Sequence, residues 1–511
     1  MNLPPPAGSV RFWLERRAAE TPDRISHLFP DDGFTLTWRE LYERAREGAR
    51  RLAAAGVRPG ESVAVMAPNG AAAVQALFAA WMGGYRATPL NLQAGADAVG
   101  YALAHSRAPV VLVEDSQRNL LRDAGALHTH RATPLDLGAE GIEHDGIDAL
   151  DPVAPDDRSD ALLMYTSGTT GRPKGVRHSQ TSLLAGGWTV TVAHELDESD
   201  RALCVLPLFH INGLCVTLMG PLVSGGAVIV PHRFSASRFW AIAGAHRATW
   251  FSVVPTILSH LLHGDRANDP DAATLARLRF GRSASAPLSP DVHRAFEERF
   301  GLPLIETMGL TETAAQILSN PLPPGDRVIG SPGRAVGNEV RIADGTLATV
   351  PAGTEGEVLV RGPNVMRGYL DNPEATAEAL SADGWLRTGD LGRMDGDGFV
   401  TITGRIKELI IKGGENIAPR EVDDALYALS DVIEAAAFPV DCPRYGQDVE
   451  AAVVLEAASG HDEDSLRAHC EHRLGRLKTP RRIHLLDDLP KGPSGKILRL
   501  KLAEEVAQSS N

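Results

Sequence analysis

Helix and strand signals alternate along the first part of the chain. Thr37-Trp38-Arg39-Glu40 is a capping box, and the amphipathic run that follows it ends at Gly56. "SVAVMA" then predicts a buried strand, "AAAVQALFAAWM" a helix and "PVVLVED" another short strand. This alternation predicts an α/β fold with largely parallel sheets.

The sequence changes character further along. Residues 128–160 are rich in Asp, Pro, Gly and Ala and predict a long surface connection. After Gly330, short strands separated by turn residues predict an antiparallel or barrel-like segment: "GNEVRIAD", "GEVLVRG" and "GFVTITGR". Beyond Gly404 we expect a helix, "PREVDDALYAL", and a strand, "EAAVVLE". The glycine-bounded "TGRIKELIIKGG" predicts a domain junction, which gives an N-terminal domain of residues 1–406 and a C-terminal domain of residues 407–511.

Charge and cysteine content exclude several classes of function. A chain of 511 residues has room for several cores, and its net charge of −14 argues against nucleic acid or an anionic membrane as partner. The start of the chain lacks the basic-then-apolar order of a signal peptide. Scattered cysteines without a C-x-x-C pair fit reduced thiols in the cytoplasm: Cys204, Cys215, Cys442 and Cys470.

One uncharged stretch, Ile211 to Pro231, is long enough to span a membrane. It contains Pro221 and the pair Gly225-Gly226, which interrupt a membrane helix. The stretch therefore predicts a buried helix, a glycine turn and the strand "AVIV", with no membrane span.

A glycine- and hydroxyl-rich loop, "YTSGTTGRPKGV" (Tyr165 to Val176), follows the apolar run "ALLM". Glycine allows backbone to approach a ligand closely, hydroxyl and N–H groups donate to anionic oxygens, and Lys174 adds a positive charge. A strand that runs into such a loop predicts a phosphate cradle. The spacing is not that of a P-loop NTPase, so another phosphate chemistry is implied.

Four further stretches carry chemistry-bearing side chains. They are "ETMGLTE" (Glu306 to Glu312), "WLRTGD" ending in Asp390, "TGRIKELIIKGGENIAP" with Arg405, Lys407 and Lys412, and "PKGPSGKILR" with Lys496. Each alone also fits an ordinary turn, cap or surface role. Their joint presence in this order is hard to explain by loops alone.

Together these motifs resemble the AMP-forming adenylating superfamily of acyl- and aryl-CoA synthetases, peptide-synthetase adenylation domains and beetle luciferases. The resemblance extends from "TWRELYERA" to "SGKILRLKL", and "SNPLPPG" and "VRGPNVMRGY" are similar to the oxalyl-CoA-synthetase-like branch. It implies a large N-terminal domain, a small mobile α+β C-terminal domain and two half-reactions. A carboxylate and ATP give an acyl adenylate and pyrophosphate, and coenzyme A then displaces AMP.

The resemblance implies an ATP site with Mg²⁺. The residues implied for the phosphates are Thr166, Ser167, Gly168, Thr169, Thr170 and Lys174, with Thr311 at the α-phosphate and Glu312 and Thr170 at the metal. The implied adenine wall is Ala284, Ser285, Ala286 and Pro287, with Met308 next to adenine, and the residues implied for ribose are Asp390 and Arg405. The remaining residues implied for ATP or AMP are Glu306, Thr307, Gly309, Leu310 and Ile402. Many relatives carry an aromatic residue in place of Met308. Met308 could pack on adenine, or it could equally fill a gap in the core. Catalytic roles are implied for Lys496, His210, Glu312 and Thr166.

The resemblance also implies that the C-terminal domain takes two positions. Lys496 would bridge the carboxylate and the α-phosphate in one position, and Lys407 would be the hinge. In the other, the pantetheine tunnel and the CoA nucleotide would meet Lys412, Gly413, Gly414, Tyr445 and Arg481.

The implied acid pocket is small or apolar for the most part: His210, Ile211, Asn212, Gly213, Val253, Val254, Arg282, Ser283, Met308 and Ala315. We expect a small or medium aliphatic or aromatic monocarboxylate. The alternative is a short diacid or sulfonated acid read by Arg282 and Ser283. Oxalate-type relatives carry a histidine in place of Ala315, which argues against oxalate. His210 could orient the carboxylate or could be an ordinary interior histidine.

Other functions stay open at this point. The enzyme could load a separate carrier protein, although no "GG-x-S" site follows Lys496. A non-catalytic adenylate-binding protein would require the loss of a catalytic group, and none of the implied ones is missing. A luciferase-like oxidase would share only the first step. The expected partners are small molecules, and a homodimer is compatible with the sequence.

Overall fold

The structure is a computed structural model that describes residues 4–128, 132–143, 151–166, 172–492 and 495–509. Within these residues the strands form four sheets, two of them large and mostly parallel. A smaller C-terminal domain has a sheet of its own. The predicted fold class is therefore confirmed.

The first part of the chain alternates helices and strands as expected. Its elements are α1 (Val10–Glu20), β1 (Ile25–Phe29), β2 (Phe34–Thr37), α2 (Trp38–Ala54), β3 (Ser62–Met66), α3 (Ala71–Met82), β4 (Arg86–Pro89), α4 (Gly95–Ser106), β5 (Val110–Val113), α5 (Arg118–Leu127), β6 (Thr133–Gly138) and β7 (Gly141–Glu143). The capping box of α2 is present, with Thr37 Oγ1 accepting from the Glu40 N–H at 3.2 Å and Glu40 Oε2 accepting from the Thr37 N–H at 2.7 Å.

Strands β6 and β7 correct the prediction of a long surface connection over residues 128–160. They close one side of the eight-stranded sheet, and Leu135, Leu137 and Ile142 are buried in the main core. Alternate residues of β6 face the core, so its apolar positions are only every second residue. The intervening polar residues and the nearby prolines concealed this pattern in the sequence.

The middle of the chain supplies most of the nine-stranded sheet and two strands of the eight-stranded sheet, Asp160–Thr166 and Lys174–Ser179. Its elements are β8 (Asp160–Thr166), β9 (Lys174–Ser179), α6 (Gln180–Ala193), β10 (Arg201–Cys204), a π-helix (Asn212–Met219), α7 (Gly220–Ser224), β11 (Ala227–Ile229), α8 (Ala236–Ala245), β12 (Trp250–Val253), α9 (Pro255–Leu262), α10 (Ala272–Arg277), β13 (Phe280–Ser283), α11 (Pro290–Phe300), β14 (Leu304–Leu310) and β15 (Ala315–Ser319). The uncharged stretch from Ile211 forms buried helices, a turn at Gly225 with φ 86° and the buried strand β11, as predicted. Among the described residues no helix is both long and apolar enough to cross a bilayer.

The remaining elements form the two smaller sheets, except that two short strands, Arg334–Ala335 and Gly368–Tyr369, are edge strands of the two large sheets. The remaining elements are β16 (Arg334–Ala335), β17 (Glu339–Ala343), β18 (Gly356–Arg361), β19 (Gly368–Tyr369), α12 (Pro373–Ala379), β20 (Leu386–Met394), β21 (Val400–Arg405), β22 (Ile410–Lys412), β23 (Glu415–Ile417), α13 (Pro419–Leu426), β24 (Val432–Cys442), β25 (Gly446–Leu455), α14 (Glu463–Leu474), β26 (Ile483–Leu485) and α15 (Arg499–Ser509). The antiparallel segment predicted after Gly330 is the sheet β17-β18-β20-β21.

The two large sheets share one hydrophobic core. Their strand orders are β16-β15-β14-β13-β12-β10-β11-β1-β2 and β19-β9-β8-β4-β3-β5-β6-β7. Residues of both sheets, of α2, α3 and α6 and of the π-helix belong to a single buried cluster that includes Trp38, Trp81 and Trp250. The helices therefore lie between the sheets and fix their relative position.

The C-terminal domain contacts the rest of the molecule mainly through α9 and the region before the junction. Ser259 Oγ donates to the Ile433 carbonyl at 2.5 Å, and His263 Nδ1 lies 2.6 Å from Glu456 Oε1. Arg420 on α13 donates to the Ile402 carbonyl at 2.6 Å. These polar contacts hold one particular placement of the C-terminal domain.

Candidate active site

The phosphate-loop motif lies on the hairpin of β8 and β9. Thr166 and Lys174 are register partners at the end of this hairpin. Ser167, Gly168, Thr169 and Thr170 lie outside the described residues. Strand β19 pairs with β9, and this pairing puts the Lys174 Nζ atom 4.9 Å from the centre of the Tyr369 ring. The ring face is attractive to a cation, so it orients the lysine.

Tyr369 also orients Glu312. Its hydroxyl donates to Glu312 Oε1 at 2.9 Å, while the Glu312 carbonyl accepts from the Met366 N–H at 2.8 Å. Burial and the neighbouring charge of Glu312 raise the pKa of Tyr369, so its hydroxyl stays a neutral donor. Lys174, Tyr369 and Glu312 therefore form one connected group built from three separate stretches of sequence.

A buried histidine supports the turn that carries Thr311 and Glu312. His178 Nε2 lies 2.6 Å from the Thr311 carbonyl oxygen, and His178 Nδ1 lies 3.1 Å from Ser182 Oγ. Burial lowers the pKa of His178 to about 4, so the ring is neutral at pH 7. Because a carbonyl only accepts, the proton of the neutral ring is on Nε2.

The loop Ala284–Pro287 follows β13 directly. Its start is held by the Ala284 N–H, which donates to the Val253 carbonyl at 3.1 Å, and Ser285 has φ 74°. Glu306 supports the loop from the sheet, because its buried Oε1 accepts from the Leu288 N–H at 3.3 Å. Thr307 donates to the Ser283 carbonyl at 3.3 Å. The four loop residues implied for adenine thus have a fixed backbone.

The hairpin of β14 and β15 requires glycine at position 309. A Cβ atom there would lie 1.6 Å from the Ala315 carbonyl oxygen, so any side chain would break the hairpin. Ala314 and Ala315 both have left-handed backbone, with φ 46° and 84°. Met308 packs against the core of the antiparallel sheet, as an ordinary core methionine would, and lies in the same hairpin as Leu310.

Asp390 and Arg405 are register partners on β20 and β21, and Arg405 Nε lies 3.1 Å from Asp390 Oδ1. The Asp390 side chain is only 14% exposed. Burial raises its pKa to about 6, and the positive charges of Arg405 and Lys496 oppose this rise. Ile402, on the same strand as Arg405, is buried in the core of this sheet.

The Lys496 loop docks on the N-terminal domain. The Gly495 carbonyl accepts from Thr256 Oγ1 at 3.1 Å, and a Cβ atom at Gly495 would lie 2.9 Å from Val254 Cγ2. Lys496 Nζ lies 3.5 Å from Glu408 Oε1. This placement brings Lys496 into the electrostatic neighbourhood of Asp390.

The residues implied for coenzyme A all lie in the C-terminal domain, and all of them except the buried Lys412 are exposed. Gly413 and Gly414 form the exposed turn between β22 and β23 with φ 61° and 91°. The other three residues make contacts inside the C-terminal domain. Lys412 forms an ion pair with Asp448 at 2.6 Å, and Arg481 donates a hydrogen bond to Glu450 at 3.0 Å. The Tyr445 carbonyl accepts a hydrogen bond from the Gly413 N–H at 2.9 Å. Lys407 is exposed on the turn Ile406–Glu408.

The implied acid pocket begins where the chain enters the π-helix. His210 Nε2 is buried and has no hydrogen-bond partner among the described residues. Burial lowers the pKa of His210 to about 4, so the ring is neutral at pH 7. Gly213 is required here, since a Cβ atom would lie 2.2 Å from the Pro207 carbonyl oxygen. Ile211 and Val253 are buried members of the adjoining cores.

The buried Arg282 side chain contacts residues in and next to the implied acid pocket. Its Nη1 donates to Asn212 Oδ1 at 2.8 Å and to Ser252 Oγ at 2.9 Å, and its Nε donates to Gln316 Oε1 at 3.2 Å. Ser283 follows it on β13, and its buried Oγ has no partner among the described residues. Successive residues of a strand face opposite sides of the sheet, so the Arg282 and Ser283 side chains do not converge.

Two family models match this chain and show which protein family it belongs to. The model of the AMP-binding enzyme family matches residues 14–370, and that of the AMP-binding enzyme C-terminal domain matches residues 421–496. The chain belongs to the AMP-binding enzyme family. The predicted family is confirmed, and the two matches fall on the N-terminal and C-terminal parts described above.

Curated AMP-binding enzymes that resemble this chain are CoA ligases. The chain is 48% identical to sulfoacetate–CoA ligase of Cupriavidus necator, over 95% of this chain and 96% of that relative. It is 37% identical to oxalate–CoA ligase of Arabidopsis thaliana, over 97% of this chain and 98% of that relative. The prediction of an AMP-forming acid–CoA ligase is confirmed at the level of this class.

A solved AMP-binding enzyme has the same fold. O-succinylbenzoate coenzyme A synthetase of Bacillus subtilis, in complex with ATP and magnesium ion, superposes with a TM-score of 0.83 at 30% identity. The match covers 96% of this chain and 98% of that one. The likeness therefore includes both the N-terminal and the C-terminal domain.

Sequence reasoning did not identify several side chains of this AMP-binding enzyme. Tyr369 was inside the quoted "VRGPNVMRGY", but nothing in the stretch revealed that β19 pairs with β9. The partners of His178, Ser252 and Gln316 are also distant in sequence. His178 lies in the polar run from Arg177 to Ser182, whereas Ser252 and Gln316 are isolated polar residues in apolar stretches. For the latter two, the only signal was a polar residue inside an otherwise buried segment.

Proposed function

We propose that this acid–CoA ligase activates a small carboxylic acid at the site between the N-terminal domain and the Lys496 loop. A carboxylate oxygen attacks the α-phosphorus of ATP, the bond from that phosphorus to the bridging oxygen breaks, and pyrophosphate leaves. The sulfur of coenzyme A then attacks the acyl carbon, its proton passes to solvent, and AMP leaves. The observation that carries this proposal is the docking of the Lys496 loop on Val254 and Thr256, close to Asp390.

The charge that develops at the α-phosphate needs positive groups fixed in advance. Lys496 is supplied by the docked loop and would bridge the acid and the α-phosphate. Lys174, held over Tyr369, would neutralise the outer phosphates with Thr166 and the loop that follows it. Thr311 is held by His178 and would contact the α-phosphate.

A divalent metal fits beside Glu312. The carboxylate is held at one oxygen by Tyr369, and Mg²⁺ prefers oxygen ligands of this kind. When bound, Mg²⁺ would neutralise phosphate charge and make pyrophosphate a better leaving group. Thr170 is the second ligand that the sequence predicts for it.

Nucleoside binding would use the strands β20 and β21 and the loop 284–287. Asp390 can accept hydrogen bonds from both ribose hydroxyls when it is ionised, and Arg405 keeps it in place. The loop 284–287 would cover one face of adenine. His210 would contact the acid, because its neutral ring has an unused nitrogen in the pocket.

The second half-reaction requires another placement of the C-terminal domain. Gly413 and Gly414 face solvent while the Lys496 loop is docked, so a tunnel wall at these glycines must form after rotation about Lys407. That rotation breaks the Arg420–Ile402 and Ser259–Ile433 hydrogen bonds. CoA binding by Lys412, Tyr445 and Arg481 is part of the same proposal.

The test is an assay with purified protein, Mg·ATP and a panel of acids. We expect exchange of labelled pyrophosphate into ATP, AMP as the nucleotide product and an acyl-CoA detected by mass. Release of ADP and orthophosphate would contradict adenylation. Adenylation without a CoA thioester would favour a separate carrier protein as acceptor. The acid panel covers aliphatic, aromatic, dicarboxylic and sulfonated acids, since one relative is named for sulfoacetate. A cytoplasmic location and a homodimer stay predictions.

A further inference from the structure

Arg282 is a buried cation, and no carboxylate of the described part of the chain pairs with it. It is 1% exposed, and among the described residues its hydrogen-bond partners are the neutral side chains of Asn212, Ser252 and Gln316. Burial lowers its pKa to about 9, so it still carries its charge at pH 7. Arg279, three residues earlier, differs from Arg282 because it forms an ion pair with Asp200 at 2.6 Å. A buried charge that lacks such a partner is costly to maintain.

The neutral partners of Arg282 connect it to the acid pocket. Asn212 stands between the pocket residues Ile211 and Gly213, and Gln316 follows Ala315. Asn212 also donates to Ser285 Oγ at 3.0 Å, in the loop implied for adenine. One asparagine side chain therefore separates the guanidinium from the nucleotide wall. An acid that reaches from this wall to Arg282 is therefore a short one.

The same pocket contains an unused polar atom. His210 Nε2 is buried without a hydrogen-bond partner among the described residues, and His210 precedes Asn212 by two positions. An unmatched nitrogen and an unmatched positive charge call for a ligand that brings both a hydrogen-bonding group and a negative charge. A carboxylate being activated faces the α-phosphate, so its charge cannot also be the counter-ion of Arg282.

We propose, resting on the proposed function, that the acid is short and carries a second anionic group, and that Arg282 receives this group. The group is a carboxylate or a sulfonate, both of which match the fork of N–H donors on a guanidinium. The acid then spans the pocket with one end at Arg282 and the reacting carboxylate beside His210 and the Lys496 loop. Arg282 acts as a specificity-determining residue.

The experiment compares three acids of similar length: sulfoacetate, malonate and propionate. We expect the wild-type protein to prefer one or both of the doubly charged acids over propionate by about 100-fold or more in kcat/KM for pyrophosphate exchange. Sulfoacetate and malonate distinguish a sulfonate from a carboxylate as the second group. Arg282→Met should lower kcat/KM for the preferred acid by about 100-fold, mainly through KM, and leave propionate within a few-fold.

Controls separate anion binding from a structural role. Arg58→Met makes the same change at a surface turn, where Arg58 pairs with Glu61. This variant should keep the wild-type kcat/KM both for the preferred acid and for propionate. Ser252→Ala removes one neutral partner and keeps the charge, so the preference for a doubly charged acid should persist. If Arg282→Met does not fold, the acid preferences of the wild-type protein and of Ser252→Ala test whether the pocket selects a doubly charged acid.

Two results would overturn the inference. One is a wild-type protein that uses propionate, or an aliphatic or aromatic monoacid from the wider panel, as well as the doubly charged acids. The other is a folded Arg282→Met protein that loses activity toward all acids equally, which would make Arg282 a structural brace. Absence of AMP formation with every acid would instead contradict the proposed function, so the two failures are distinguishable.

Discussion

Tyr369 donates a 2.9 Å hydrogen bond to Glu312 while its ring lies under the ammonium group of Lys174. One side chain thus positions both a cation and an anion of the candidate ATP site. We expect Tyr369→Phe to keep the ring and lose the hydroxyl. A hydrogen bond to a charged group contributes about 1.5–3 kcal/mol, so the Mg²⁺ concentration for half-maximal pyrophosphate exchange should rise by about tenfold or more.

Tyr42→Phe is the matched control for this prediction. Tyr42 is partly buried against the main core on α2, far in sequence from the site. The same loss of a hydroxyl there should leave the Mg²⁺ dependence unchanged. An unchanged Mg²⁺ dependence in Tyr369→Phe would show that the Glu312 carboxylate does not meet the metal.

Lys496→Ala should slow adenylation by about 10²–10³-fold, by analogy with the loss of one oxyanion donor. Thioester formation from a supplied acyl adenylate should stay within a few-fold, because the proposed second placement moves the Lys496 loop away. Rapid-quench measurement of each half-reaction checks this. Equal slowing of both half-reactions would disprove the two-placement proposal.

Gly414→Leu should have the opposite effect. The turn is exposed when the Lys496 loop is docked, so adenylation should persist, whereas the leucine would obstruct a pantetheine tunnel and slow thioester formation. Gly353→Leu controls for backbone strain, since Gly353 has φ 80° and open space around it, much like Gly414 with φ 91°. The control should affect neither half-reaction. Normal CoA transfer by Gly414→Leu would place the tunnel elsewhere.

We expect nucleoside binding to depend on pH because of Asp390. Its pKa of about 6 in the folded protein means that it gains a proton as pH falls through 6. The protonated carboxyl accepts ribose hydrogen bonds poorly, so adenosine should bind about tenfold more weakly at pH 5 than at pH 7. Adenosine has no phosphate that titrates in this range, and calorimetry measures its affinity directly. Asp390→Asn should bind weakly at both pH values; a pH dependence that survives this change would have another origin.

Local sequence signals predicted the elements that carry several of the candidate site residues. The strand β8, the hairpin to Lys174 and the Asp390–Arg405 pair lie where the motifs indicated, because each depends on local strand and turn signals. Tyr369 and His178 depend on strand pairing and packing between distant segments, which local periodicity does not reveal. Arg282 was assigned to the pocket by resemblance, yet its lack of a counter-charge emerges only from three-dimensional contacts.

The docked Lys496 loop packs on Val254, which directly follows β12 and belongs to the implied acid pocket. Helix α9 begins immediately after it and carries Thr256 and Ser259, both bonded to the C-terminal domain. One rigid segment therefore joins the wall of the pocket to the cover above it. An acyl adenylate is a reactive mixed anhydride, and water would destroy it in an open cleft. In the proposed two-placement cycle the intermediate stays enclosed until the C-terminal domain moves, so the movement that opens the site also brings in the thiol that consumes the intermediate.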